Sequence, residues 1–157
     1  MRPQAGFTMV ELITVIVLIG VLAAIGIPRL MGGNDISAVV FAEQVTSGLR
    51  LAQKAAVARR RTVCVGAAAS AITIRIRTDV GNGTCGDVRI DGITDDLYVS
   101  KDAGIVIDGM PSTLRFQPDG AITGDDGQQI GRLEVRIKSD DVVHRTIRLE
   151  GSTGNVD

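Results

Sequence analysis

The chain reads GFTMVELITVIVLIGVLAAIGIP from Gly6 to Pro28, and this stretch decides how the protein is organised. From Phe7 to Ile27 it runs for 21 residues with a single charge, Glu11. A helix rises about 1.5 Å per residue, so this run is about 30 Å long, which matches the hydrocarbon core of a bilayer. The stretch therefore predicts a membrane-spanning helix near the N-terminus.

The charges beside this helix predict its orientation. Only MRPQAG precedes it, with a positive charge at Arg2, and Arg29 follows it. Positive charge next to the first span tends to remain on the cytoplasmic side. We therefore expect the N-terminus to stay inside the cell and everything after Arg29 to cross to the outside.

An ordinary secretory signal peptide is the alternative interpretation, because Ala24-Ile25-Gly26 has the small residues of a cleavage site. Glu11 argues against it. A charged residue inside the apolar run costs roughly 2.5 kcal/mol or more on insertion scales. A segment that is discarded has no reason to carry such a charge, whereas a working membrane helix does.

Three features of the N-terminus are the sequence GFTMVE at Gly6–Glu11, the aliphatic run after it and Ile27-Pro28. Together they resemble the N-terminal signature of type IV pilins and type II secretion pseudopilins. In that family a membrane-embedded aspartic peptidase, the prepilin peptidase, cuts after the glycine and methylates the new N-terminal amine. The resemblance implies that residues 1–6 are a cleaved leader, that the cut falls between Gly6 and Phe7, and that Phe7 is N-methylated. It also implies an inner-membrane location with a periplasmic head, and other pilin or pseudopilin subunits as partners in a filament.

Glu11 has two interpretations within this resemblance. A carboxylate in the bilayer lies where charge is disfavoured, so Glu11 should either stay neutral or find a cation, and cleavage creates a charged amine at Phe7. Attraction between such groups is strong where water is scarce, so Glu11 is predicted to pair with the amine of a neighbouring subunit during assembly. The alternative is that Glu11 only marks the chain as a substrate of the peptidase.

The resemblance also covers Gly20 to Pro28, the part of the family's helix that loosens when filaments assemble. The helix propensities of these residues favour the same conclusion. Glycines such as Gly20 and Gly26 lower helix propensity by about 1 kcal/mol each relative to alanine, and Pro28 removes a helical hydrogen bond. Gly20 and Pro28 are therefore predicted to make this helix flexible.

A second helix is predicted after the breaker Gly32-Gly33-Asn34-Asp35, which reads as a hinge with Asn34 or Asp35 as the helix cap. From Ile36 to Arg61 apolar residues recur every three or four positions and form one stripe, namely Phe41, Val45, Leu49, Ala52 and Ala56. The cations Arg59–Arg61 suit the end of this helix. A binding patch is the alternative role for these three arginines.

The remainder is predicted to be an antiparallel sheet. Apolar residues alternate with polar ones at 72–77, 132–138 and 143–149, and the turn at Pro118-Asp119-Gly120 joins a further strand pair. The expected fold is α+β and pilin-like: a leader at 1–6, a transmembrane and filament-core helix at 7–28, an amphipathic helix with a glycine-rich hinge at 29–61, and a β-sheet head at 62–157.

The head adds a second resemblance. The head resembles the minor pseudopilin H and fimbrial T class (GspH/FimT), including minor pilins of mannose-sensitive hemagglutinin systems. The resemblance rests on the sequence LRFQPDG at Leu114–Gly120, the predicted strand pair after it and the glycine-containing C-terminal segment Gly151–Val156. The resemblance implies a minor pilin or pseudopilin, a structural and assembly subunit of a type IV pilus or a type II secretion pseudopilus.

The two cysteines are Cys64 and Cys85. If the head lies outside the inner membrane, it is in an oxidising compartment, which favours a disulfide over two free thiols. Two cysteines and the distant His144 do not make a zinc site, which needs four ligands.

Enzyme chemistry finds no support in the sequence, which has one histidine, no nucleophile elbow and no phosphate loop. A calcium site is conceivable at an acidic pair such as Asp95-Asp96, Asp125-Asp126 or Asp140-Asp141, but the spacing of calcium ligands is missing. We therefore expect no cofactor and no metal.

DNA binding in an uptake filament is the alternative function, because fimbrial T relatives take part in DNA uptake through a basic C-terminal motif. Here the chain ends in GSTGNVD, and residues 125–157 hold five basic and seven acidic side chains. Binding to phosphates needs clustered cations, so the sequence disfavours a nucleic-acid partner.

Overall fold

The computed structural model describes residues 8–31, 33–77, 85, 86, 88–90, 93 and 98–157. The chain divides between Gly33 and Asn34 into two compact units. The elements, in chain order, are α1 (Met9–Met31), α2 (Gly33–Arg59), β1 (Val63–Ala68), β2 (Ala71–Ile76), β3 (Val88–Arg89), β4 (Ile105–Asp108), β5 (Thr113–Phe116), β6 (Ile122–Thr123), β7 (Arg132–Ser139), β8 (Val142–Glu150) and β9 (Asn155–Val156).

The first unit is α1, which continues as a helix through Gly20, Gly26 and Pro28. Aliphatic residues have few ways to satisfy backbone polar groups other than a helix when they lie in lipid. The unbroken helix therefore agrees with the predicted span.

α2 begins at Gly33, earlier than predicted, so Gly33, Asn34 and Asp35 of the predicted breaker are helical, and Gly32 lies outside the described residues. The prediction that Asn34 or Asp35 caps α2 is wrong, because both lie inside its first turn. Asp35 still suits this place, since a negative charge favours the positive end of the helix dipole.

The arginine triplet ends α2. Arg60 takes a left-handed backbone with φ of 50°. The N–H of Arg60 donates to the carbonyl of Val57 at 3.3 Å, and that of Arg61 donates to the carbonyl of Ala56 at 3.2 Å. This pair of bonds is the Schellman motif, so the triplet has the predicted helix-ending role.

The strands form two antiparallel sheets where the sequence predicted one. Sheet A has the order β3-β2-β1-β5-β6, and sheet B has the order β4-β7-β8-β9. The predicted hairpins are confirmed: β5 pairs with β6, and β7 pairs with β8 across the two-residue turn Asp140-Asp141. Both turn residues have positive φ, which is typical of a tight hairpin turn.

One hydrophobic cluster joins α2 to both sheets. The predicted stripe of α2 is buried from Phe41 to Ala56, and the inward residues of the strands complete the cluster. At Gly48 the helix approaches sheet A closely, because an added Cβ would lie 3.0 Å from Ile72 and 3.2 Å from the ring of Tyr98. The second unit is thus an α+β head with a single core, as predicted.

Candidate functional site

The surface of α1 is the first functional feature. Over Met9–Ile27 the mean hydropathy is 2.7 and none of the span is buried. In the part of the chain that the structure describes, it is the one helix long and apolar enough to cross a membrane. A helix this apolar needs lipid or other apolar chains around it. The protein is therefore membrane-anchored through α1.

The start of α1 carries its polar groups. The hydroxyl of Thr8 accepts a hydrogen bond from the N–H of Glu11 at 3.2 Å, and the carbonyl of Thr8 accepts one from Leu12 at 3.2 Å. Thr8 is thus the N-cap of α1. This cap was not predicted, although Thr8 and Glu11 have the spacing of a capping box.

Glu11 lies in the first turn of α1 with an exposed side chain. The hydroxyl of Thr14, one turn further on, donates to the carbonyls of Glu11 at 2.8 Å and of Val10 at 3.0 Å, so Thr14 is satisfied inside its own helix. Among the described residues the Glu11 carboxylate has no such partner.

The other predicted residues of this segment are placed as follows. Gly6 and Phe7 lie outside the described residues. Gly20 lies within α1 with no heavy atom within 4 Å of where a Cβ would stand, and Pro28 lies in the helical backbone of α1.

In the head, the motif at Leu114–Gly120 has its apolar residues in the core and its polar residues on the opposite face of sheet A. Leu114 and Phe116 are fully buried. Arg115, between them, donates to the carbonyls of Gly124 at 3.0 Å and Asp125 at 2.9 Å, and its guanidinium lies 3.5 Å from the Asp125 carboxylate. Arg115 therefore clamps the loop that follows β6.

The end of the same motif ties β6 to the C-terminal turn. Gly120 has φ of 93°, and an added Cβ would lie 3.4 Å from the carbonyl of Thr153. The N–H of Ile122 donates to the carbonyl of Gly151 at 2.7 Å. Gly120 and the residues just after the motif therefore pack against the turn between β8 and β9.

The predicted disulfide between Cys64 and Cys85 is present, with their Cα atoms 5.8 Å apart. Cys64 lies on β1 between Arg75 of β2 and Arg115 of β5. Its side chain therefore points to the face of sheet A opposite the core.

The acidic pair Asp125-Asp126 is engaged by neighbouring residues of the head. Asp125 accepts a hydrogen bond from Ser112 at 2.8 Å and pairs with Arg115, and Asp126 accepts one from the N–H of Gln128 at 3.0 Å. Within the described residues no three histidine, cysteine or carboxylate side chains come together as a metal site would require. Asp95 and Asp96 lie outside the described residues.

Comparison with known proteins supports both halves of this arrangement. Residues 1–27 match the family model of the prokaryotic N-terminal methylation motif, and residues 42–153 match that of type II transport protein GspH. The chain belongs to the GspH family. No curated protein matches its sequence.

The crystal structure of the type IV minor pilin FimU from Pseudomonas aeruginosa strain PAO1 is similar to this GspH-family chain. The alignment has a TM-score of 0.53 and 15% identity, and covers 81% of this chain and 88% of that chain. At this identity the similarity shows the fold, which is that of a pilin.

A pilin-like α+β fold, the methylation motif and the GspH domain together make this chain a minor pilin or pseudopilin, a subunit of a type IV pilus or a type II secretion pseudopilus. The comparisons give no support to the DNA-binding alternative. Proteins of these families are structural subunits.

Proposed function

We propose that the chain is inserted in the inner membrane as a precursor, with its N-terminus in the cytoplasm and its head in the periplasm. The prepilin peptidase cuts between Gly6 and Phe7 and methylates Phe7. The mature subunit then leaves the lipid and packs α1 among the helices of other pilin or pseudopilin subunits. Its role is structural, with no catalytic step and no cofactor.

The observation that carries this proposal is the exposed apolar surface of α1 with a single charge in its capped first turn. Thr8 uses its hydroxyl to cap the helix and Thr14 bonds within it, so the Glu11 carboxylate is the polar group left for an external partner. The amine that cleavage creates at Phe7 of a neighbouring subunit is a cation of the right kind and at the right depth. Coulomb attraction at that depth draws the incoming subunit into register.

Gly20 and Pro28 support the same role. Glycine lowers the free energy needed to unwind a helix, and proline cannot donate the hydrogen bond that residue 24 would otherwise accept. We propose that α1 loosens between these residues as it moves from lipid into the filament.

The Glu11→Val variant tests the proposal. We expect it to be inserted and cut as wild type but to enter filaments about tenfold less well or worse, since a tenfold loss corresponds to only about 1.4 kcal/mol and a charge pair away from water contributes more. Sheared filaments probed with an antibody to the head measure the incorporation.

Thr14→Val is the matched control, because it removes a polar group from the same helix that is already satisfied internally. It should enter filaments normally. If Glu11→Val is incorporated as well as wild type, Glu11 only marks the chain for the peptidase and the docking role is wrong.

A further inference from the structure

Three aliphatic side chains at the start of α2 and the start of β8 are exposed on the head. Ile36 and Val39 on α2 are 70% and 45% exposed, and Val142 on β8 is 58% exposed. We call these three residues the apolar patch. Burial of aliphatic surface is favourable, so a partner that covered all three would gain free energy of binding.

The packing of α2 beside β8 brings the apolar patch to one place. His144, two residues after Val142, lies beside the first turn of α2, with its Nε2 3.6 Å from Asp35 Oδ1. Val39 is one turn after Asp35 and is therefore on the same side of the helix. The register with β7 pairs Val142 with the buried Ser139, which places Val142 on the core face of sheet B. Exposed aliphatic residues grouped in this way indicate an interaction surface.

Three carboxylates surround the apolar patch, and we call them the acidic rim. Asp140 and Asp141 form the turn immediately before β8, and both are exposed. Asp35 has a side chain that is 75% exposed, and the Nε2 of the neighbouring His144 has no hydrogen-bond partner. Among the residues that the structure describes, no hydrogen bond engages any of these three carboxylates.

The charge of this surface selects the kind of partner. The cations of the β7–β8 hairpin near it are already paired, Arg145 with Glu43 at 3.1 Å and Lys138 with Asp108 at 2.7 Å. The acidic rim therefore repels the phosphates of a lipid surface and the same surface of a second copy, and attracts lysine and arginine. The surface fits an apolar protein segment that carries cations.

We propose that the apolar patch and the acidic rim bind a neighbouring subunit of the filament, through an apolar segment of that subunit that carries lysine or arginine. The inference rests on the proposed function, which brings other subunits around α1. Asp35 is eight residues after Ile27, the end of the span, and a chain of that length reaches at most about 29 Å. A subunit packed beside α1 is therefore within reach of the apolar patch. This contact is on the head and is separate from the one proposed for Glu11.

A photoreactive side chain identifies the partner. Val142→p-benzoylphenylalanine is made in the full chain and illuminated in cells that assemble the filament. We expect it to crosslink to another pilin or pseudopilin subunit, and mass spectrometry should find the crosslink on a peptide that contains lysine or arginine. Val106→p-benzoylphenylalanine is the control, because Val106 is 37% exposed on the opposite face of sheet B. It should not crosslink to that peptide.

The acidic rim is tested by combining Asp140→Asn with Asp141→Asn. Asparagine removes both charges and tolerates the positive φ of these turn residues, so the hairpin should keep its fold. We expect the crosslink from position 142 and the incorporation into sheared filaments to fall at least about threefold. The matched control combines Asp126→Asn with Asp157→Asn, which removes two exposed charges elsewhere on the head and should leave both measurements unchanged.

A crosslink to phospholipid or to a second copy of the chain overturns the inference, and so does the absence of any crosslink. An unchanged crosslink after both asparagine substitutions at the turn also overturns it. Any of these results combined with poor filament incorporation of Glu11→Val would leave the proposed function standing and remove only the contact of the head. Normal incorporation of Glu11→Val would overturn the docking role of Glu11, whichever molecule position 142 crosslinks to.

Discussion

Thr8 and Glu11 are polar residues at the start of α1, and their side chains have different roles. The Thr8 hydroxyl accepts the N–H of Glu11, which satisfies a backbone donor that the helix leaves unpaired. Among the residues that the structure describes, no side chain pairs with the Glu11 carboxylate, and the proposed function assigns it a partner on a neighbouring subunit.

The proposed function places the leader cleavage directly after Gly6. We expect Gly6→Val to leave the precursor uncut, because a branched side chain at the scissile bond hinders a peptidase that accepts glycine there. Mass spectrometry of the membrane fraction measures the N-terminus, and Gly20→Val in α1 is the control that should still be cut. A mature N-terminus other than Phe7 in the wild type would contradict the assignment.

The ionisation of Tyr98 is a probe of how well the core beneath α2 is shielded from water. It is the only tyrosine, and its side chain is 6% exposed, so burial raises its pKa above the ordinary value of 10.0. The folded state favours the neutral phenol, so this contribution to stability is complete below the ordinary pKa and is lost as the pH rises through the folded pKa. Absorbance of tyrosinate in the full chain in detergent should therefore rise at higher pH than in urea, and coincident curves would refute it.

Among the elements, β5 contributes to both faces of sheet A at once. Leu114 and Phe116 fill the core, and Arg115 between them holds the loop after β6 through two carbonyls and one carboxylate. Successive side chains of a strand point to opposite faces of the sheet, so one strand can supply both sets of contacts. The family motif therefore packs into the core of the head on one face and holds the loop after β6 on the other.

Arg115→Met should lower the free energy of unfolding of the head by about 1–3 kcal/mol, because it removes donors to two carbonyls in a partly buried site. Arg132→Met is the matched control: its side chain is 73% exposed and its contact with Glu150 is 3.4 Å, so its effect should stay below about 0.5 kcal/mol. Urea denaturation followed by circular dichroism measures both. Equal losses for the two variants would show that the clamp contributes nothing.

At the scale of the whole molecule, the two units serve two different environments. The first exposes aliphatic side chains along its whole span, and the second has its own core built from α2 and both sheets. A unit with its own core folds without the other. The anchor and the head are therefore separable.

A chain that starts at Asn34 should accordingly be soluble and monomeric, and should form the Cys64 to Cys85 disulfide when it is exported to the periplasm. Closing a loop of this length contributes about 3 kcal/mol in the chain-entropy model, so reduction should lower the urea midpoint. Thiol labelling without reductant and size-exclusion chromatography check the two statements. Two labelled thiols per chain in the exported protein would contradict the disulfide, and a dimer on the column would contradict the monomer.

The sequence by itself determined the membrane helix, the buried stripe of α2 and the two hairpins, because each depends on periodicity or turn chemistry among near neighbours. Only the tertiary structure decided that the strands divide into two sheets, that α2 begins at Gly33, and that Arg115 clamps a loop. The contacts of Arg50 and Gln53 with the C-terminal segment join residues 106 and 100 positions apart. A polar residue on a helix or strand has the same local pattern whichever distant partner it meets, so the partner is settled only when packing of the core brings the two elements together.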